Sequence, residues 1–263
     1  MDDAVYARLK ACLSELKTAA VGFSGGADST LLLAVARDVL EGRVLALTAV
    51  TPYMARQEVA EALRLAEYLG VRHQLVEMPM PEGMESNPSD RCYLCKHALY
   101  TVLREEAVAA GFPQLLDGSN IDDRRDFRPG MRALRELGIH SPFMELGIGK
   151  DAIRRVARDM GLPVWSKPTN ACLLTRLPFG RSVNMAELQR IEEAERFLVA
   201  RGYDWVRVRQ HGNLARIEVE TSQRARLLED AQAVSANLKG LGFRHVTIDM
   251  DGYQLGSMNV AME

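Results

Sequence analysis

The sequence has no apolar run near the roughly 20 residues that a helix needs to cross a bilayer, so a helical membrane protein is not expected. It has no excess of one charge either. Lys and Arg number 33 against 35 Asp and Glu, a formal net charge of −2, so the balance argues against a nucleic-acid or membrane-surface partner and leaves room only for a local basic pocket. The first ten residues, MDDAVYARLK, are acidic and amphipathic and lack the layout of a secretory signal, so a cytoplasmic location is expected. Cysteine is scarce. Four in 263 residues read poorly as a disulfide framework, which leaves metal binding, reactivity or burial. No repeat of fixed period and no low-complexity tract is present. What the chain does have is apolar content, 47% of its residues, enough to bury one large core or two modest ones, and two are expected.

The order of elements can be read from periodicity. Val5, Leu9, Leu13 and Leu16 mark an opening amphipathic helix. AAVGF reads as a buried strand, STLLLAVARDVL as a helix ending near Gly42, RVLALTAV as a strand, RQEVAEALRLAEYLG as a helix closed by Gly70, and RHQLVEM as a strand. That alternation predicts an α/β domain with a parallel sheet and crossover helices. A polar stretch then precedes a helix predicted from about Lys96 to Ala110, a strand at QLLDGSN, and a helix with Ile153, Val156, Ala157 and Met160 on one side. Pro163, Pro168 and Pro178 punctuate a loop-rich passage taken as the domain boundary. The expected domains are 1–178 and 179–263, the second a smaller α+β unit with helix, strand DWVRVRQ, strand LARIEVE, helix, strand HVTIDM.

Between the first strand and the second helix stands SGGADS, Ser24 to Ser29. A glycine-rich turn there lets backbone approach an anion while the free N–H groups of the first helical turn point at it, so phosphate is the natural guest. Ser24 and Ser29 add hydroxyls, and Asp28 is placed to hold a magnesium ion bridging phosphate oxygens. The G-x-x-x-x-G-K-[ST] loop is excluded because its lysine is missing, and G-x-G-x-x-G because the glycines, Gly25 and Gly26, are adjacent. The bland alternative is a tight turn without a ligand.

SGGADS resembles the S-G-G-x-D-S pyrophosphate loop of the ATP pyrophosphatases, which transfer AMP to an oxygen, release pyrophosphate, and let a nitrogen or sulfur nucleophile displace AMP. Three more segments, NPSDRCYLCK at 87–96, DGSNIDDRRDFRPGMRALRELGIHSPF at 117–143 and SKPTNACLLTRLPFG at 166–180, extend the resemblance to the LarE-type sulfur transferases. That resemblance implies a parallel-sheet pyrophosphate-loop domain, ATP and Mg2+ as cofactors, and a mononucleotide substrate, pyridinium biscarboxylic acid mononucleotide, whose carboxylates become thiocarboxylates on the way to the nickel-pincer nucleotide. It also implies a homo-oligomer. The chemistry is reasonable, since a carboxylate has no usable leaving group until it is adenylylated and sulfur can then attack.

By the same resemblance Cys172 is the sulfur-carrying cysteine, either giving up its own sulfur or, with Cys92 and Cys95, holding three irons of a [4Fe-4S] cluster whose fourth iron accepts a sulfide. The cluster is the favoured reading. From the residues alone, a C-x-x-C plus a distant cysteine also fits a redox dithiol or zinc, the latter poorly for want of four closed ligands. Cys12, between Leu9 and Leu13, is read as packing. Arg176, four residues after Cys172, and Arg207 and Arg209, on one face of a strand, are candidates to bind the anionic substrate, the alternative for the pair being a solvated strand face. Glu218 is grouped with them, the alternative being a simple cross-strand ion pair. Asp117, Asn120, Asp122 and Asp123 are candidates for magnesium or ribose and Arg128 for phosphate, with Asp123 preferred over Asp126 on the resemblance alone.

Other readings stay open at this point. A tRNA thiolase or an ammonia-dependent ligase uses the same fold, the former calling for a basic surface and salt-sensitive binding. A nucleotide sensor without turnover would bind ATP, release no pyrophosphate and have no need of three cysteines.

Overall fold

The computed structural model describes residues 3–124, 130–167, 171–254 and 258. Two compact units emerge, one of Met1–Glu82 with Asp90–Asn170 and one of Gly83–Ser89 with Ala171–Glu263. The observed division thus falls eight residues before the expected boundary at 178. The second unit also takes in a short piece, 83–89, that no composition shift marks. Its reason is Asn87, fully buried, whose amide donates to the carbonyls of Leu174, Leu177 and Pro178.

In the first unit, α1 (Asp3–Ser14) leads into β1 (Ala19–Gly22), α2 (Ala27–Val39), β2 (Val44–Val50), α3 (Arg56–Tyr68) and β3 (Arg72–Glu77). Then come α4 (Arg91–Ala109), the two-residue β4 (Leu115–Leu116), α5 (Gly130–Glu136), α6 (Pro142–Glu145) and α7 (Lys150–Asp159). The four strands are all parallel in the order β3-β2-β1-β4. All four residues of β1 and six of the seven in β2 are buried, as a strand covered on both faces requires. Ala19, Val21, Val44 and Ala46 pack with residues of α1, α2, α3 and α7, whereas Ala20, Leu45 and Leu47 pack with Tyr100 and Leu103 of α4 and Leu134 of α5. The result is a three-layer α/β unit.

Two elements differ from expectation. Helix α4 begins at Arg91 rather than Lys96, because CYLCK contains nothing that breaks a helix once Asp90 has started it, so Cys92 and Cys95 are helical residues. Helices α5 and α6 were not anticipated, being too short to show a period.

The second unit carries α8 (Met185–Ala200), β5 (Arg207–His211), β6 (Leu214–Glu218), α9 (Arg224–Glu229), α10 (Ala231–Gly240) and β7 (His245–Ile248). Asn184 caps α8 by accepting from the Ala186 N–H at 2.9 Å, and Leu188, Ile191, Ala194 and Leu198 turn its apolar side inward. The strands run β5-β6-β7, antiparallel then parallel. Gly212 and Asn213 connect β5 to β6, and Gly212 supplies the left-handed φ of +62° at the turn. Among the described residues no helix is long and apolar enough to cross a membrane.

Gln210 on β5 is fully buried, and neither end of its amide has a hydrogen-bond partner among the described residues. An unpaired buried amide costs about 1–3 kcal/mol. Gln210→Met, of similar shape and without those donors, is therefore expected to raise stability by about 1 kcal/mol, read as a higher urea midpoint with unchanged slope; a lower midpoint would show that the amide is satisfied in solution.

Candidate active site

The loop after β1 is shaped by what surrounds it. Gly25 has φ +69°, and a Cβ there would stand 3.2 Å from Cα of Ala62 on α3, so only glycine fits. Gly26 precedes α2, which has no side-chain cap, so the N–H groups of its first turn are available to an anion. The hydroxyls of Ser24 and Ser29 lie 3.1 Å apart, and Ser29 donates to the Gly26 carbonyl at 3.3 Å. These four positions form one cradle.

Because β1 sits between β2 and β4, the connections leave it on opposite sides, and the loops after β1 and β4 meet at the crevice where such sheets bind ligands. The meeting is tight: a Cβ on Gly118 would lie 3.1 Å from the Ser29 nitrogen. The loop after β4 brings Asn120, whose Nδ2 donates to Asp28 Oδ2 at 2.9 Å and whose backbone N–H donates to Asp123 Oδ2 at 3.1 Å. Burial, and then the charge of Asp123, push the Asp28 carboxyl up to about 6, against the pull of Asn120, Lys150 and Arg154. Lys150 Nζ is 3.5 Å from Asp123 Oδ1. Two neighbouring carboxylates with too little positive charge between them suit a divalent cation carrying phosphate oxygens. Lys150 and Arg154, four residues apart on α7, escaped the sequence reading because their helix looked merely amphipathic.

Asp122 serves differently, its Oδ2 accepting the Lys150 backbone N–H at 2.7 Å and so fixing the start of α7. Asp117 is buried and held by its neighbours. Burial alone would raise its carboxyl, but the Lys96 ammonium and hydrogen bonds from Ser119 and Tyr100 outweigh that and hold it low. Asp126 and Arg128 lie outside the described residues.

Cys92 lies in the first turn of α4 and Cys95 at the start of the second, three residues apart, Cys92 exposed and Cys95 with its sulfur 3.1 Å from the Tyr53 hydroxyl. Cys12 on α1 is part-buried, and burial raises its thiol. Among the described residues no group of three His, Cys, Asp or Glu comes together to hold a metal ion.

Cys172 belongs to the second unit and immediately precedes a short 3-10 turn, Leu173–Arg176. Arg176 is buried and wholly engaged. It donates through Nε and Nη2 to Glu195 of α8, both at 2.9 Å, and through Nη1 to the carbonyls of Ala171 and Cys172 at 2.7 and 3.2 Å. Burial disfavours both charges, yet the pairing holds the Arg176 guanidinium above and the Glu195 carboxyl below their ordinary ranges. Arg176 thus shapes the backbone around Cys172.

Arg207 and Arg209 are both buried, so they do not form a solvated face. Arg209 donates to Glu218 Oε2 at 2.9 and 2.7 Å and to the Thr175 carbonyl at 2.9 Å, while Arg216 reaches Glu218 Oε1 at 3.1 Å. Glu218 is accordingly the carboxylate partner of two arginines. Arg207 lies 5.2 Å over the Tyr253 ring and donates to the Val206 carbonyl, and burial followed by the charge of Arg176 lowers its pKa.

The NAD synthase family profile matches residues 4–91, which hold the loop and the strands β1 to β3. A pyridinium-3,5-bisthiocarboxylic acid mononucleotide synthase of Lactiplantibacillus plantarum is 34% identical over 96% of this chain and 93% of its own. The chain belongs to the LarE-type sulfur transferases. It is thus an enzyme of the ATP-using pyrophosphate-loop class. Two uncharacterized proteins share the family's length and pattern, one of Synechocystis sp. (41% identical, 95% of both chains) and one of Methanocaldococcus jannaschii (31%, 89% of this chain and 90% of the other).

Two predictions follow the charges of this LarE-type site. Asp28 has a folded pKa near 6 against an ordinary value of 3.8, so its contribution to stability is present below pH 4 and is lost as pH rises through 6. Asp28→Asn should therefore gain on the wild type between those values, by on the order of 2 kcal/mol at pH 8, in denaturation without nucleotide or Mg2+; equal stability at pH 8 would refute the shift. Glu195→Ala leaves the Arg176 charge buried and unpaired and should cost about 3–5 kcal/mol in the same measurement.

Proposed function

We propose that this enzyme adenylylates the carboxylates of pyridinium-3,5-biscarboxylic acid mononucleotide and replaces the activated oxygen with sulfur, in nickel-pincer nucleotide synthesis. The observation that carries the reading is the anion cradle of Ser24–Ser29 beside the Asp28 and Asp123 carboxylates, in a chain 34% identical to a synthase of the bisthiocarboxylic product.

ATP would lay its β and γ phosphates on the N–H groups and hydroxyls of the loop, and Asp28 and Asp123 would hold a Mg2+ that supplies positive charge for the phosphates. A substrate carboxylate oxygen attacks the α phosphorus, the bond to the bridging oxygen breaks, and pyrophosphate leaves with that electron pair. The acyl adenylate has AMP as leaving group. A sulfur nucleophile then adds to the carbonyl carbon and AMP departs, giving the thiocarboxylate. Arg207 is assigned to the anionic substrate, with Arg209 and Glu218 keeping its strand in place and Arg176 setting the backbone at Cys172.

Sulfur delivery is assigned to Cys172, which with Cys92 and Cys95 would hold a [4Fe-4S] cluster able to supply the sulfide. The C-x-x-C pair at the start of α4 supports that set. In a second reading Cys172 gives up its own sulfur: its thiolate displaces AMP to form a thioester, and loss of its α proton then breaks its Cβ–S bond, leaving the thiocarboxylate and a dehydroalanine.

The test is an anaerobic incubation with ATP, Mg2+ and the mononucleotide, following pyrophosphate and the mass of the product. Wild type should yield both pyrophosphate and thiocarboxylate, Asp28→Ala neither, and Cys172→Ala pyrophosphate without thiocarboxylate. Substrate-independent behaviour of the wild type would sink the reading. Iron analysis of the same preparation separates the donors: about four irons per chain, lost on replacing any of the three cysteines, supports the cluster, and no iron with a Cys172 that loses hydrogen sulfide supports the sacrificial route.

A further inference from the structure

Lys167 belongs to the first unit, five residues ahead of Cys172 along the chain, and its side chain makes its contacts within that unit. Its ammonium, 13% exposed, is 3.1 Å from Glu58 Oε2 and 2.5 Å from Glu61 Oε2. The same nitrogen is 3.4 Å from the carbonyl oxygen of Gly25. Its own carbonyl accepts from Arg154 Nη2 at 3.1 Å.

Glu58 and Glu61, three apart, share a side of α3 with Ala62, the residue against which Gly25 packs. One lysine therefore joins three things: the helix that backs the loop, the loop itself at its left-handed glycine, and the helix that brings Lys150 and Arg154 to Asp28. The two carboxylate contacts are the strong ones, and the partial burial of all three side chains makes them worth more than a fully exposed pair. The contact to Gly25 is longer and acts chiefly by its charge on a carbonyl of the loop itself. A loop rich in glycine has many other conformations, and holding it in one removes an ordering cost from phosphate binding.

We infer that Lys167 is a positioning residue for the pyrophosphate loop: pinned by Glu58 and Glu61, it keeps Gly25 in the conformation that grips the β and γ phosphates. The inference rests on the loop being the ATP site, as proposed above, and is independent of the sulfur step.

The experiment measures equilibrium binding of α,β-methylene ATP with Mg2+, and of inorganic pyrophosphate, by calorimetry on full-length wild type, Lys167→Met and Lys167→Arg. Lys167→Met should bind both probes about tenfold more weakly, and Lys167→Arg, which can restore the contacts to both carboxylates, should recover most of that. In pyrophosphate-release assays the KM for ATP should rise in Lys167→Met by a similar factor while kcat stays within about threefold. A purely structural role would lower the melting temperature and leave the affinity of the folded protein unchanged. If Lys167→Met does not fold, Lys167→Gln, with similar reach and no charge, serves in its place and should show the same loss. Wild-type affinity in either neutral variant overturns the inference. Wild-type protein that binds neither probe overturns the ATP-site reading instead, and binding without thiocarboxylate formation overturns only the sulfur step.

Discussion

The first unit depends on one close approach, that of the loop after β4 to the first turn of α2. Gly118 sits where any side chain would meet Ser29, and Gly25 sits where any side chain would meet Ala62. Two glycines thus let three pieces of backbone share a space that a single methyl group would fill. The parallel strand order puts those pieces at the same end of the sheet, and the buried strands beneath them leave no freedom to move apart. Once that contact is made, Asn120 reaches Asp28, Asp123 follows within range of it, and Asp122 is free to start α7.

The two units treat buried charge in opposite ways. In the first, Asp28 and Asp123 face each other with Lys150 and Arg154 only partly offsetting them, and the raised Asp28 carboxyl records the imbalance. Such an arrangement is unfavourable until a cation arrives, which is the usual condition of a site built to be completed by its ligands. In the second, Arg176 is matched by Glu195 and Arg209 by Glu218, each through two hydrogen bonds. Those pairs are complete, and they hold the backbone around Cys172 and Thr175 as firmly as a core contact would. Arg207 lies over Tyr253, repelled by Arg176 and attracted by Glu195.

Much of this was legible in the chain. The alternation of buried strands and helices specified the parallel sheet, because continuous apolar runs between helical periods have few other interpretations. The loop was legible because its chemistry is local: the glycines, hydroxyls and Asp28 lie within six residues. The helix start at Arg91 was hidden by cysteines and aromatics that carry little propensity, and the membership of 83–89 in the second unit by Asn87, whose three bonds join residues about ninety positions apart.

The sequence by itself therefore determined the fold class, the anion cradle and the reaction family, since each depends on side chains that are neighbours along the chain or repeat at a fixed period. Only the tertiary structure decided that Arg176 and Arg209 are consumed by carboxylates, that Asp117 is buried and held by its neighbours, and that Lys150, Arg154 and Lys167 surround the loop. Charge is a long-range property. Whether an arginine is spent or available is set by partners that folding brings from distant positions, and no spacing rule along the chain carries that information.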